Sequence, residues 1–210
     1  MSEIIKDLNW RYATKSFDTS KKVSEEDLQE IVESFRLTPS SFGLEPWKLV
    51  VVETQELKDK LKEFSFNQSQ ISDSSHVLVF TRVVDLNDEY VDKFLDNQSK
   101  ITGASREDLE WYEKVMKWFL SNLDENSKIM WAKEQVNIAL WNVMHTLARK
   151  QIDSCAIGWF EPSKYDEFLG LTEKWLASVV VLPIWYRQND DKYAIMPKVR
   201  FSVDEIMIKM

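Results

Sequence analysis

The chain has 210 residues, of which 44% are hydrophobic and 30% are charged. This composition is typical of a folded globular protein and excludes a collagenous, mucin-like or wholly disordered chain. The formal net charge is −8 at pH 7. Because an acidic surface repels the phosphate backbone of DNA and RNA, we expect no nucleic-acid partner.

The cysteine and hydropathy patterns predict an intracellular protein without a metal site. Cys155 is the only cysteine, so no internal disulfide can form, and no Cys/His cluster has zinc-ligand spacing. The first thirty residues lack the apolar core of a secretion signal, and no run approaches the roughly 20 apolar residues that span a bilayer. No linker or repeat divides the chain. We therefore expect one cytoplasmic domain over residues 1–210, with no membrane partner.

The predicted secondary structure is rich in helices, since the chain has only 4 glycines and 5 prolines. Ser24 and Asp27 resemble a capping box before an amphipathic helix over 24–37, and Ser105 and Asp108 resemble another at the start of a later helix. The remaining helices are predicted at 2–10, 55–64, 128–151 and from Ser163. Apolar, β-branched runs predict strands at 47–53, 76–84, 154–158 and 178–186, the second of them central. An extended tail follows.

The usual catalytic constellations are missing from the chain. It has no phosphate-binding glycine loop, and its two histidines make a histidine-centred triad a poor hypothesis. Basic residues instead stand in polar, irregular segments at opposite ends of the chain, namely Arg11 and Lys15 near the start and Lys198 and Arg200 near the end. In an extended PKVR segment the two charges project from one side and could hold one phosphate. The alternative is that all four are ordinary solvated charges.

Five segments in this order resemble the FMN-dependent nitroreductases. They are RYATKSFD (11–18), TPSSFGLEPW (38–47), FNQSQISDSSHVLVF (66–80), WAKEQVNIALWNVM (131–144) and PKVR (197–200). No single segment is decisive, since PSS and PKVR are each common by chance, but five in order make a specific signal that covers essentially the entire chain. The resemblance implies an α+β fold with a central, mostly antiparallel sheet surrounded by helices. It also implies a homodimer with an extended C-terminal tail and FMN sites built across the subunit interface.

The resemblance assigns roles to particular residues. Arg11, Lys198 and Arg200 look like the FMN-phosphate ligands, and Lys15 looks like the cation that stabilises negative charge on the flavin. The complete implied cofactor-binding set is Arg11, Tyr12, Ala13, Lys15, Ser40, Ser41, Gly43, Asn67, Gln70, Ile157, Gly158, Trp159, Lys198 and Arg200. Within it, Ser40 and Ser41 match serines that reach the partner's flavin, Asn67 matches a ligand of the pyrimidine edge, and the Gly158 N–H matches the donor to flavin N5. Phe119 is similar in place to an aromatic residue over the substrate.

Several positions depart from the family pattern, among them Glu45, which replaces the usual glutamine beside Pro46. Ala13 stands where a serine is familiar, Gly43 where an asparagine is common, and Gln70 where a lysine often faces the flavin. Trp159, with Gly158, replaces an acidic residue and glycine near N5 and could narrow the pocket. Because a neutral amide stabilises an anionic reduced flavin less than a cation does, we expect Gln70 to lower the flavin potential.

The implied activity is NAD(P)H oxidation with ping-pong hydride transfer through flavin N5 to a nitroaromatic, quinone or similar flat acceptor. The flavin carries this chemistry, which is consistent with the missing triad. The sequence leaves open the physiological acceptor and the choice between NADH and NADPH. Two alternatives remain, a flavin-binding protein that does not turn over and a flavin-free helical interaction protein whose aromatic faces bind a partner.

Overall fold

The computed structural model describes residues 1–210, and its centre is a four-stranded sheet. The strands are β1 (Trp47–Val52), β2 (His76–Val83), β3 (Asp153–Ser154) and β4 (Leu176–Trp185). Their order is β1-β2-β4-β3, and every neighbouring pair is antiparallel. The predicted antiparallel sheet and the interior position of the 76–84 strand are therefore confirmed.

The strand predicted over 154–158 is wrong in length, because regular pairing stops after Ser154. Cys155 lies opposite Pro183 and donates its N–H to the Pro183 carbonyl at 3.3 Å. Proline has no N–H to return that bond, so the ladder ends at this point. Pairing resumes only as the single bridge between Ile157 and Val181.

The chain has nine helices. They are α1 (Glu3–Trp10), α2 (Glu25–Arg36), α3 (Gln55–Glu63), α4 (Ser69–Asp73), α5 (Asp88–Thr102), α6 (Glu110–Ser121), α7 (Glu125–Arg149), α8 (Pro162–Phe168) and α9 (Val203–Ile206). The predicted cap of α2 is present, with the Ser24 side chain accepting from the Asp27 N–H at 3.1 Å. The sequence patterns locate α1, α2, α3 and the start of α8 within one or two residues.

Two predicted helix starts are wrong. Ser105 and Asp108 do exchange the predicted capping hydrogen bonds. The backbone over 106–109, however, forms tight turns in which hydrogen bonds join residues three apart, and α6 begins only at Glu110. Helix α7 begins three residues before the predicted position 128, because the Asp124 side chain accepts the Ser127 N–H at 2.7 Å. A side-chain cap thus decides where α7 begins, whereas α6 begins at Glu110 without a side-chain cap.

The core lies on both faces of the sheet. On one face Leu78 and Phe80 of β2 pack with α2 and α7, and on the other Val77 and Val79 pack with α3, α4 and α8. Because successive side chains of a strand point to opposite faces, coverage of both faces explains why β2 reads as one continuous apolar run. A further cluster joins α5, α6 and the start of α7.

The C-terminal segment after β4 has little regular structure. A single 3₁₀ turn at Lys192–Ile195 and the one-turn helix α9 are its elements. Apolar side chains of the segment, including Val199, Phe201 and Ile208, are exposed. Among the helices, none combines the length and the apolarity that crossing a bilayer requires.

Candidate functional site

The segment after α1 is held in place by Arg187, which lies two residues after the end of β4. The Arg187 guanidinium lies 4.0 Å from the ring centre of Trp10 and 4.6 Å from that of Tyr12. Arg11, which has extended backbone after the end of α1, points away from Arg187, and its guanidinium lies 5.6 Å from the ring centre of Trp141. Arg11 lines a cavity of about 350 Å³ together with Lys198 and Arg200.

Arg187 is itself anchored by Asp153. Its Nη2 and Nε lie 2.6 Å and 2.9 Å from Asp153 Oδ1, and its backbone N–H donates to Oδ2 at 2.8 Å. Thr14 Oγ1 donates to the same carboxylate at 3.1 Å. Tyr12 is held from another side, because its hydroxyl donates to Asp191 Oδ2 at 2.7 Å. Burial and this bond raise the pKa of Tyr12. The carboxylates of Asp153 and Asp191 thus fix the course of residues 10–14.

The three predicted phosphate ligands meet at one place. The Lys198 ammonium donates to the Arg11 carbonyl, and Arg200 lines the same cavity. No carboxylate lies within ion-pair distance of these three side chains or of Lys15. Burial and the neighbouring Arg200 lower the pKa of Arg11, and burial, Arg11 and Arg200 lower that of Lys198. Such a group of unneutralised cations fits a phosphate, which would relieve the mutual repulsion.

Lys15 and the segment after β3 lie side by side. The Lys15 ammonium is 3.9 Å from the Cys155 sulfur, which is buried, and burial raises the pKa of that thiol. Ile157 is buried and exchanges both backbone hydrogen bonds with Val181, at 2.8 Å and 3.0 Å. The next residue, Gly158, is exposed, and its N–H donates to no group of the chain. A Cβ built on Gly158 would meet no heavy atom within 4 Å, so an open space borders this free donor.

The Asn67 loop approaches the Gly158 segment. Gln68 Nε2 donates to the Trp159 carbonyl at 2.9 Å, which ties the two segments together. Asn67 has a positive φ of 58° and an exposed side chain with no hydrogen-bond partner in the chain. Gln70 lies half-buried in the first turn of α4. The structure thus brings Asn67 close in space to Gly158 although 91 residues separate Gln68 from Trp159 along the chain.

The predicted serine loop lies elsewhere on the chain. The Ser41 N–H donates to Gln135 Oε1 of α7 at 2.8 Å, and Ser40 Oγ accepts from the Glu45 N–H at 2.9 Å. Gly43 follows with a φ of 68°, which glycine adopts without strain. This loop contributes no residue to the cavity lined by Arg11, Lys198 and Arg200.

Phe119 lies with the serine loop. Its ring centre is 5.1 Å from that of Phe42 and 5.7 Å from that of Trp131. Tyr112 completes this aromatic cluster by donating its hydroxyl to the Phe42 carbonyl at 2.8 Å. Phe119 therefore belongs to the neighbourhood of Ser40 and Ser41 rather than to the cation cluster.

Sequence reasoning missed Asp153, Arg187 and Asp191. The available signal was the placement of charged residues directly beside apolar strands, in the runs QIDSCAIG and LPIWYRQNDD. A charge that adjoins a buried strand needs a partner, which is a reason to search for a pair. The sequence does not indicate which charge is the partner, because Asp153 and Arg187 are 34 residues apart.

Comparison with known proteins gives the family. A sequence profile described as "Nitroreductase family" matches residues 8–182. A Staphylococcus saprophyticus protein provisionally named an NAD(P)H nitroreductase is 37% identical, over 97% of this chain and 95% of its own length. The major NAD(P)H-flavin oxidoreductase of Aliivibrio fischeri is 33% identical, over 97% of each chain.

A solved structure shows the same fold. It is a protein of Exiguobacterium sibiricum, provisionally named a nitroreductase and solved in complex with FMN. It superposes on this chain with a TM-score of 0.84 at 20% identity, covering 100% of this chain and 98% of its own. Profile, relatives and fold agree over nearly the whole length, and the chain therefore belongs to the nitroreductase family.

Proposed function

We propose that this protein is an FMN-dependent NAD(P)H oxidoreductase that reduces nitroaromatics, quinones or similar flat acceptors by a ping-pong mechanism. The observation that carries the proposal is the meeting of Arg11, Lys198 and Arg200 at one cavity without a carboxylate partner, in a chain of net charge −8. An acidic protein that leaves three cations unneutralised side by side has the electrostatics of a phosphate site. Its relatives in Staphylococcus and Aliivibrio are named for NAD(P)H-dependent reduction.

The proposed FMN site extends from this cluster to the Gly158 segment. Arg11, Lys198 and Arg200 hold the phosphate, and Lys15 stabilises negative charge that develops on the flavin ring during reduction. The free Gly158 N–H is available to hydrogen-bond flavin N5, and the unpartnered Asn67 amide is available for the pyrimidine edge. The rest of the proposed set, which lines the site through backbone and packing, consists of Tyr12, Ala13, Gln70, Ile157 and Trp159.

FMN held by Arg11, Lys198 and Arg200 would supply the redox chemistry, namely acceptance of a hydride from NADH or NADPH and transfer of two electrons to the second substrate. The residues of this chain would bind FMN and orient it. The Asp153 and Arg187 pair holds residues 10–14 in place, so that Arg11 and Lys15 keep their positions while the charge on the ring changes. Rigid placement of cations at the charge that develops is the main contribution a protein makes to such a step.

We further propose that residues 1–210 form one FMN-binding domain that works in the cytoplasm as a homodimer. In the dimer Ser40, Ser41 and Gly43 would reach the partner's flavin, and Phe119, which lies with them, would cover the substrate there. The outward face of α7 supports this assembly, since Met130, Ile138 and Trp141 are exposed apolar residues along one helix. Exposed apolar surface of this kind marks an association site.

The test is flavin binding and reduction by the purified protein. The protein is loaded with FMN and its visible spectrum is recorded during anaerobic addition of NADH or NADPH, followed by a quinone. Arg11→Ala should weaken FMN binding about 10- to 100-fold, because one charge-assisted contact is worth about 1.5–3 kcal/mol. Arg36→Ala is the matched control, since Arg36 is exposed and pairs with Glu33.

Each result has a definite meaning. Flavin absorbance bands that bleach when NADH or NADPH is added and return when quinone is added would support the oxidoreductase. Bands that persist would favour a flavin-binding protein without turnover, and failure to bind FMN would favour a helical interaction protein. Full FMN retention by Arg11→Ala would refute the proposed phosphate site.

A further inference from the structure

Two large aromatic side chains stack on the surface where the Asn67 loop meets the Gly158 segment. The ring centres of Phe66 and Trp159 are 4.9 Å apart, and the rings are inclined by 31°. Phe66 is 48% exposed and Trp159 is 71% exposed. An isolated exposed aromatic residue needs no explanation, but a stacked pair presents a broad flat apolar surface to solvent.

The backbone holds this pair in place. Gln68 Nε2 donates to the Trp159 carbonyl at 2.9 Å, and the Glu161 N–H donates to the Phe64 carbonyl at 2.8 Å, so hydrogen bonds join the two segments on both sides of the rings. Phe66 has a φ of 53°, in the left-handed region that residues with side chains rarely adopt. Backbone strain of this kind persists where the surrounding structure enforces it and is concentrated at functional sites.

The aromatic pair directly adjoins the two free polar groups of the site. Trp159 follows Gly158, whose N–H has no acceptor, and Phe66 precedes Asn67, whose amide has no partner. The space beside Gly158 is open, since a Cβ there would touch nothing within 4 Å. In the FMN-loaded protein the flavin would take both polar groups, and the aromatic pair would border the space through which an acceptor approaches the flavin.

We propose that Phe66 and Trp159 form a stacking wall that selects planar aromatic electron acceptors over compact ones. This inference rests on the proposed function and names the residues that set its preference for flat acceptors. Offset stacking of a flat ring on an aromatic side chain adds attraction beyond the area that is buried. A compact, strongly hydrated acceptor gains nothing from the same surface. Trp159 is accordingly a specificity-determining residue, and Phe66 supports its ring.

The test uses the FMN-loaded protein and three variants. Trp159→Leu keeps an apolar side chain but removes the aromatic face, whereas Trp159→Phe restores a smaller one. Trp111→Leu is the matched control, because Trp111 is 74% exposed on α6 and stacks on no other ring. The KM values for 1,4-naphthoquinone and for ferricyanide are measured with each protein. The Kd of the unreactive planar anion 2-naphthoate is measured from the shift of the oxidised flavin spectrum.

In Trp159→Leu the naphthoquinone KM and the naphthoate Kd should both rise about 3- to 10-fold, the range that one aromatic contact supplies. The ferricyanide KM, measured on fully FMN-loaded protein, should rise less than about 2-fold, because ferricyanide gains nothing from stacking, and Trp159→Phe should recover most of the naphthoquinone loss. Equal effects on both acceptors, or no difference from Trp111→Leu, would overturn the stacking wall. Failure of the native protein to bind FMN would instead overturn the proposed function, and the wall with it.

Discussion

Replacing Arg187 with methionine should lower the free energy of unfolding by about 3 kcal/mol. Asp153 is 3% exposed and Arg187 is 19% exposed, so the pair is largely desolvated. Removing one partner of a buried pair costs about 3–5 kcal/mol, because the other charge stays buried without its counterion. The lower end applies here, since Asp153 still accepts from Thr14 and from the backbone N–H of residue 187.

The assay is urea unfolding of the FMN-free protein, followed by far-ultraviolet circular dichroism at one fixed chain concentration. A fixed concentration is required because dimerisation would add to the measured stability. The control is Arg36→Met, which breaks an exposed pair with Glu33 and should cost at most about 1 kcal/mol. In the double variant Arg187→Met/Asp153→Asn the loss should be smaller than in Arg187→Met, because no uncompensated charge remains.

A loss below about 1 kcal/mol in Arg187→Met would refute this reasoning. So would a loss in the double variant that equals the sum of the losses in Arg187→Met and Asp153→Asn. FMN affinity provides a second readout. Because Arg187 lies between the rings of Trp10 and Tyr12, which flank Arg11, its removal should also weaken FMN binding. Arg36→Met should leave that affinity unchanged.

Three further predictions concern single residues. Gln70→Lys should raise the flavin midpoint potential by about 20–60 mV, since a cation near the ring contributes about 1–3 kcal/mol to a two-electron couple; a spectroelectrochemical titration that gives an equal or lower potential would contradict this. Lys198 has a lowered pKa, and bound phosphate favours its charged form, so FMN affinity should fall as pH rises through that pKa. In Lys198→Met this fall in affinity should be absent. Fluorescence titrations from about pH 7 to about pH 10 test it, and equal slopes for both proteins would exclude the role of Lys198. Gly103→Ala should lower the free energy of unfolding, measured by urea unfolding, by about 1 kcal/mol, because the φ of Gly103 is 78° at the end of α5. Gly158→Ala should leave that free energy unchanged, because Gly158 has no positive φ and a Cβ there would enter open space. Equal stabilities of the two alanine variants would be the contrary result.

The strands and helices that the sequence predicted well have local causes. β2 and β4 read as continuous apolar runs because helices cover both faces of the sheet. The start of α2 depends only on residues 24–27, since the Ser24 side chain accepts the Asp27 N–H. The errors arose where a local pattern had competing outcomes. Ser105 and Asp108 form the predicted bonds, but the chain closes tight turns there before α6 begins.

The sequence by itself determined the elements, the family resemblance and the candidate cations Arg11, Lys198 and Arg200, because each depends on residue type and short spacing. The tertiary structure alone decided the Asp153 and Arg187 pair, the end of β3 opposite Pro183 and the stacking of Phe66 on Trp159. These features join residues that are far apart in the chain. Their formation depends on strand register and loop direction, which residue spacing does not encode.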